Sequence, residues 1–207
     1  MNPDSSTRKR PQRLKDRLRE AASEAILDAA QEVLLAQGFQ APMEVIATRA
    51  GVAVGTLYNH FADRKTLVDS LLSRHRESML DDVKAAEVAA RALPVKEQLV
   101  TMLAAMQGGW SRIFLLIRHS EQLPDVKKRA QLRASVNEVF GPVLERARRE
   151  GVLAPDPHGL QVVALEGLMK SMFVFCNDEP KRLSPADAPR FVADTILHGF
   201  APKRGGK

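Results

Sequence analysis

Apolar residues recur at helical spacing along most of the chain, and the breaks in that rhythm fall at Gly, Pro and Asp. Over residues 20–37 the stripe Ala22, Ala25, Ile26, Ala29, Ala30, Val33 and Leu34 has Asp28 and Glu32 between its members, and Gly38 follows. This predicts an amphipathic helix ending at a glycine C-cap. Pro42 in a first helical position and Gly51 past the last turn bracket a second, short helix. Ala41 stands where a capping Ser, Thr or Asp is expected, which leaves Glu44 to complement the positive helix end. A third short helix fits 53–60, and Asp63 caps a longer one reaching about Leu80. Beyond it, the pattern predicts helices over 82–92, 94–108, 110–120, 126–149, 157–176 and 185–199. The Gly108-Gly109 pair separates two of these and offers a bend. With no convincing strand, repeat or glycine-rich nucleotide loop, the expected class is all-α: a small N-terminal helical unit and a larger C-terminal bundle.

The two short helices have a particular layout. Ile46, Ala47 and Ala50 fall on one face of the first, and Leu57 and Phe61 are four apart on the second. Small Ala47 permits a close crossing, Gly51 a tight turn, and Val52 plugs the corner. These seven residues form the expected core of a helix-turn-helix, which places its second helix in a DNA major groove. That helix keeps Ala53, Val54, Thr56, Tyr58, Asn59 and His60 on the face turned from the core. Val54 and the Thr56 methyl suit thymine methyl groups, the Thr56 hydroxyl a base edge or phosphate, and Asn59 an adenine. Tyr58, His60 and Lys65 suit backbone positioning, and Arg49 completes the set of candidate DNA contacts.

Charge sharpens this picture because of where it lies. The 207 residues carry a net +6, yet residues 20–202 hold 21 basic against 23 acidic side chains. The excess sits in Arg8, Lys9, Arg10, Arg13, Lys15, Arg17 and Arg19, and in Lys203, Arg204 and Lys207. Residues 1–19 are expected to be a flexible basic arm that tracks phosphates and releases counterions, and 201–207 a basic tail.

Gly38-Phe39, Ile46-Ala47, Ala50-Gly51-Val52, Gly55-Thr56-Leu57-Tyr58, His60-Phe61, and Lys65 with Leu67 recur in the order and spacing of one family. Over about residues 20–76 the chain resembles the TetR family of bacterial transcriptional regulators. The resemblance implies three DNA-binding helices (20–66), then a connecting helix within a helical effector-binding and dimerisation domain (67–200). It also implies a homodimeric repressor that leaves a pseudo-palindromic operator when a small molecule binds. Ala53 departs from the Ser common there, and Pro42-Met43 from a Thr-containing helix entry.

For the dimer interface, the stripes of 126–149 and 157–176 offer Val136, Phe140, Val143, Leu160, Val163, Ala164, Gly167 and Leu168. For an apolar or amphipathic effector, adaptable thioethers and aromatics suggest Met102, Met106, Trp110, Phe114, Met169, Phe173 and Cys176, with His119 as a polar contact. No other cofactor is expected. The five histidines are dispersed without metal-ligand spacing, and no catalytic triad or carboxylate pair stands out, so neither a metal nor an enzymatic activity is predicted. A single cysteine excludes an intrachain disulfide and suits a reducing compartment. The polar start and the Lys170 interruption of the 168–176 stretch argue against secretion and a membrane span, leaving a cytoplasmic location as the expectation.

Overall fold

The computed structural model describes residues 9–117, 126–179 and 181–201, with side chains over 14–110 and from 130 onward except at residue 132. Eight helices account for the regular structure of these residues: α1 (Lys9–Gln37), α2 (Met43–Arg49), α3 (Val54–His60), α4 (Arg64–Ala90), α5 (Val95–Ile117), α6 (Val126–Arg149), α7 (Leu160–Asp178) and α8 (Ala188–Gly199). Two compact units emerge. One runs through Arg74 and takes in the last turn of α5 from Leu115, and the other comprises His75–Phe114 and α6 onward.

The first unit is a three-helix cluster completed by the start of α4. Ile26 and Ala30 of α1, Ile46 and Ala47 of α2, Leu57 of α3, and Leu67 and Leu71 of α4 are fully buried in one apolar cluster. Gly38 adopts φ +82° and donates its N–H to the Leu34 carbonyl at 3.0 Å, which ends α1 at the expected place. Arg74 of α4 bonds Glu24 (3.0 Å) and Asp28 (2.7 Å) on α1, adding a polar clamp to the apolar contact.

Three expectations about the elements are corrected. The basic arm is helical from Lys9, one continuous rod with the rest of α1. Its Lys, Arg, Leu and Gln residues are good helix formers, and Pro11 lies in the first turn, where its missing N–H costs no helical bond. The break near residue 81 is absent, because Met79 and Val83 continue the buried face of α4 and neither Asp81 nor Asp82 obstructs a helix. Gly108-Gly109 does not divide α5 either. A Cβ on Gly109 would collide with Met79 Cγ and lie 3.2 Å from Met79 Cα, so this glycine serves a close approach of α5 to α4.

In the second unit α7 packs against both α6 and α8. Gly151 at φ +72° closes α6, with Val152 N–H bonded to Ala147 O (2.9 Å) and Gly151 N–H to Arg148 O (3.1 Å). The Asp156 carboxylate accepts the N–H groups of Leu160 (2.9 Å) and Gln161 (2.8 Å), so α7 starts at Leu160 and not at 157. Arg146 joins α6 to the α4–α5 turn by donating to the carbonyls of Arg91 (2.9 Å) and Leu93 (3.0 Å). In that turn the Arg91 guanidinium bonds Glu87 at 2.8 Å and holds its carboxyl below the ordinary range.

Candidate nucleic-acid interface

The α2–α3 connection is built by Gly51. At φ +69° it occupies the left-handed region, while Val52 N–H bonds Ala47 O (3.0 Å) and Gly51 N–H bonds Thr48 O (3.2 Å). This paired closure satisfies the last carbonyls of α2 and turns the chain directly into α3. Pro42 sits at the N-cap of α2, one residue before its expected position, and Ala53 is the N-cap of α3 without a side-chain cap bond. Ile46, Ala47, Leu57 and Phe61 are buried, and half-buried Ala50 and Val52 pack against the same cluster.

With Leu57 and Phe61 facing inward, α3 turns a short strip to solvent. Ala53, Val54, Gly55, Tyr58 and Asn59 are exposed, Tyr58 at 43%, whereas Thr56 and His60 are half-buried. The His60 ring lies tilted at 6.3 Å from Phe61, so part of it packs on the end of the helix. Arg49 is exposed but bonded to Glu32 of α1, with its Nε donating at 2.6 Å. That pairing draws it toward α1 and weakens its candidacy as a base reader. Lys65 forms an i,i+4 ion pair with Asp69 at 2.8 Å and keeps 64% of its side chain exposed.

Asp63 begins α4 as expected: its carboxylate accepts the Thr66 N–H at 2.7 Å. That backbone hydrogen bond, supported by the Thr66 hydroxyl, lowers the carboxyl pKa. For two residues the structure adds a role: Arg64, which carried no expectation, and Gly55, which had only its place in the family pattern. Arg64 donates to the Phe39 carbonyl at 2.7 Å, tying the α1–α2 loop to α4. Gly55 lies in α3 at an ordinary helical φ, and a Cβ there would meet nothing within 4 Å. An arginine at the start of a long helix carries no sequence signal for a loop bond, but a glycine inside a seven-residue helix does signal a need for space.

The remaining candidates separate by burial. Met102, Met106, Met169, Phe173 and Cys176 are buried, and half-buried Trp110 lies 6.2 Å, ring centroid to centroid, from Phe173. The Phe114 side chain and His119 lie outside the described residues. Two surface clefts, of about 400 and 320 Å³, are lined by residues of α1 and α2 and of α4 and α6 respectively, and by none of these candidates. Burial and the nearby Asp187 push the Cys176 thiol pKa up, which favours its unreactive protonated form. Val136, Phe140 and Val143 are corrected as interface residues: each is at most 2% exposed within the protomer, so no face remains for a partner. On α7, by contrast, Leu160 (53%), Val163 (38%) and Gly167 are exposed, with Ala164 and Leu168 half-buried beside them. Helix α7 is also long and apolar enough to cross a membrane by length and composition, but it carries Glu166 and Lys170 and buries one face in this fold.

Residues 26–71, which contain this helix-turn-helix, match the family described as bacterial regulatory proteins, tetR family. The transcriptional repressor BepR of Brucella suis biovar 1 is 30% identical over 146 residues, covering 64% of this chain and 69% of BepR. The chain belongs to the TetR family. The transcriptional activator FasR of Mycolicibacterium smegmatis is 39% identical over 62 residues, a match that spans 30% of this chain and 28% of FasR. Among solved structures, the TetR-like regulator LfrR of Mycobacterium smegmatis in complex with proflavine aligns with a TM-score of 0.62. That alignment has 21% identity and covers 88% of this chain and 98% of LfrR, a likeness of fold. As a TetR-family member the chain is a DNA-binding transcriptional regulator, a group whose members are generally not enzymes.

Proposed function

We propose that the chain is a cytoplasmic homodimeric repressor that occupies a pseudo-palindromic DNA operator and releases it when a small apolar or amphipathic molecule binds. The observation that carries this reading is the exposed strip of α3, held on a buried Leu57–Phe61 anchor across the Gly51 turn. Val54 and Asn59 offer the base-reading chemistry, a methyl contact and an amide. Tyr58, Lys65 and half-buried Thr56 and His60 position the phosphate backbone, and exposed Ala53 at the helix entry stands against the same groove. Gly55 leaves room for that backbone to approach. The basic first turns of α1 add affinity without sequence information.

A single α3 reads half a site, so two copies must be held together. The exposed apolar face of α7, Leu160, Val163, Ala164, Gly167 and Leu168, is the surface for that pairing. The effector enters the apolar region of Met102, Met106, Trp110, Met169, Phe173 and Cys176, and it drives release only by binding the released state better than the DNA-bound one. LfrR, a relative in fold, is in complex with the small molecule proflavine, which is in keeping with a small-molecule effector here.

The test is selection of duplexes from a randomised DNA library by the purified chain, followed by binding at controlled salt. An enriched inverted repeat supports a dimeric reader; failure of folded protein, free of bound ligand, to enrich any sequence overturns it. A second reading, transcriptional activation, is favoured by the FasR match. A reporter driven from the selected operator separates the two, since loss of the regulator raises expression under repression and lowers it under activation.

A further inference from the structure

The outer face of α1 carries an apolar seam that the protomer does not use. Leu14, Leu18, Ala21 and Ala25 follow at spacings of four, three and four, the rhythm of a coiled-coil seam. All four are exposed, Leu14 at 58% and Leu18 at 63%. Ile26, Ala29, Ala30 and Val33, buried against the rest of the first unit, lie roughly a quarter turn round the helix from this strip, so Ala25 stands at the edge of the buried stripe. Residues 14–21 are exposed all round the rod, and two leucines a helical turn apart, continued by two alanines, give this stretch an apolar strip.

Charge is sorted along the same rod. Residues 9–19 hold Lys9, Arg10, Arg13, Lys15, Arg17 and Arg19 against Asp16. Residues 20–32 hold Glu20, Glu24, Asp28 and Glu32 and no basic side chain. A helix with one basic and one acidic half complements a second copy of itself only when the two run in opposite directions.

We infer that α1 pairs antiparallel with α1 of a second copy, through a contact separate from the α7 face. One register satisfies both patterns. It sets Leu18 against the second copy's Ala21 and Leu14 against its Ala25, and the two-fold axis repeats both layers, so every layer joins a large side chain to a small one. The same register brings Arg17 toward Glu24 of the other copy. Glu24 already accepts Arg74 at 3.0 Å, but its side chain is 62% exposed and has oxygen lone pairs to spare. A parallel pairing instead stacks leucine on leucine and sets Lys15 and Arg17 beside their own counterparts, a repulsive arrangement. The seam from Leu14 to Ala25 is only about 18 Å long at ~1.5 Å per residue, less than a standard interface requires. Association is therefore weak in free solution and is strengthened when two dimers are held close on one DNA. With the α7 contact, the α1 contact gives each chain two different two-fold interfaces, which joins dimers to one another.

Sedimentation equilibrium of the full chain without DNA, up to about 1 mM subunit, tests this independently of operator reading. Mass beyond the dimer should appear at the upper concentrations, and Leu18→Glu should weaken that step at least tenfold while circular dichroism reports an intact fold. Arg17→Glu and Glu24→Arg should each weaken it, and the double variant should restore it. If Val163→Glu splits the dimer but spares the α1 contact, the two interfaces are distinct. If instead Leu18→Glu alone turns dimers into monomers, the α1 seam stands and the α7 assignment falls. No species that depends on Leu18, or a charge-swapped pair that does not recover, overturns the inference. So does a Leu18→Glu variant of unchanged mass that loses binding to anionic phospholipid vesicles or to a random-sequence DNA duplex, because the seam's occupant is then a membrane or nucleic acid.

Discussion

Gly51 and Gly55 stand four residues apart and are glycine for different reasons. Gly51 needs its φ of +69°, which other side chains rarely adopt, whereas Gly55 has neither a positive φ nor a neighbour within 4 Å. Gly55→Ala should leave thermal stability unchanged or raise it by up to about 1 kcal/mol. It should weaken operator binding by about tenfold, or 1.4 kcal/mol, as read by fluorescence anisotropy. A variant that binds as tightly as the parent would mean that nothing approaches α3 at that point. Asp63 makes a second prediction. Its carboxyl pKa is held below the ordinary 3.8 by the Thr66 amide, so its stabilisation of α4 is complete above 3.8 and is lost as pH falls through the depressed value. Asp63→Asn keeps a cap acceptor without the titration, so urea unfolding should find the advantage of the parent shrinking on the acid side of pH 3.8.

Helices are where the sequence pattern was most legible and also where it misled. The spacing of Ile46, Ala47, Leu57 and Phe61 and the positions of Gly38 and Gly51 anticipated α2, α3 and their turn, because those features act within a few residues of one another. The Gly108-Gly109 pair looked like a break because local propensity alone disfavours it, but Gly109 is selected by Met79, thirty residues away in the chain. The two glycines should therefore respond oppositely to the same change. Gly108→Ala, with nothing within 4 Å, should stabilise the chain by about 0.5–1 kcal/mol. Gly109→Ala forces Met79 and its backbone aside and should cost about 1–3 kcal/mol. Chemical denaturation of both variants checks the pair, and equal effects would contradict the close contact of α4 and α5.

On the scale of the whole molecule, the proposed dimer rests on the exposed apolar face of α7, since Val136, Phe140 and Val143 of α6 are buried within the protomer. Val163→Glu, at a site already 38% exposed, should leave the protomer folded. It should shift sedimentation from dimer to monomer and reduce operator affinity by about a hundredfold, near 2.8 kcal/mol. The helical basic start of α1 predicts a further signature. Substituting Lys15 and Arg19 with Gln should weaken binding to operator and to random DNA alike. It should also flatten the dependence of affinity on salt by about one unit of slope for each phosphate no longer neutralised.

The sequence by itself determined the all-helical class, the helix-turn-helix and its inward and outward faces, because periodicity, glycine turns and caps are properties of neighbouring residues. Tertiary structure alone decided which apolar stripes were spent inside the protomer. Val136 and Phe140 look no different in sequence from Leu160 and Val163, since amphipathic spacing reports that a face is apolar and not what covers it. The same holds for charge: α1 supplies Glu32 to Arg49, a candidate DNA contact in the sequence, and Glu24 and Asp28 to Arg74 from a distance along the chain that no local pattern spans.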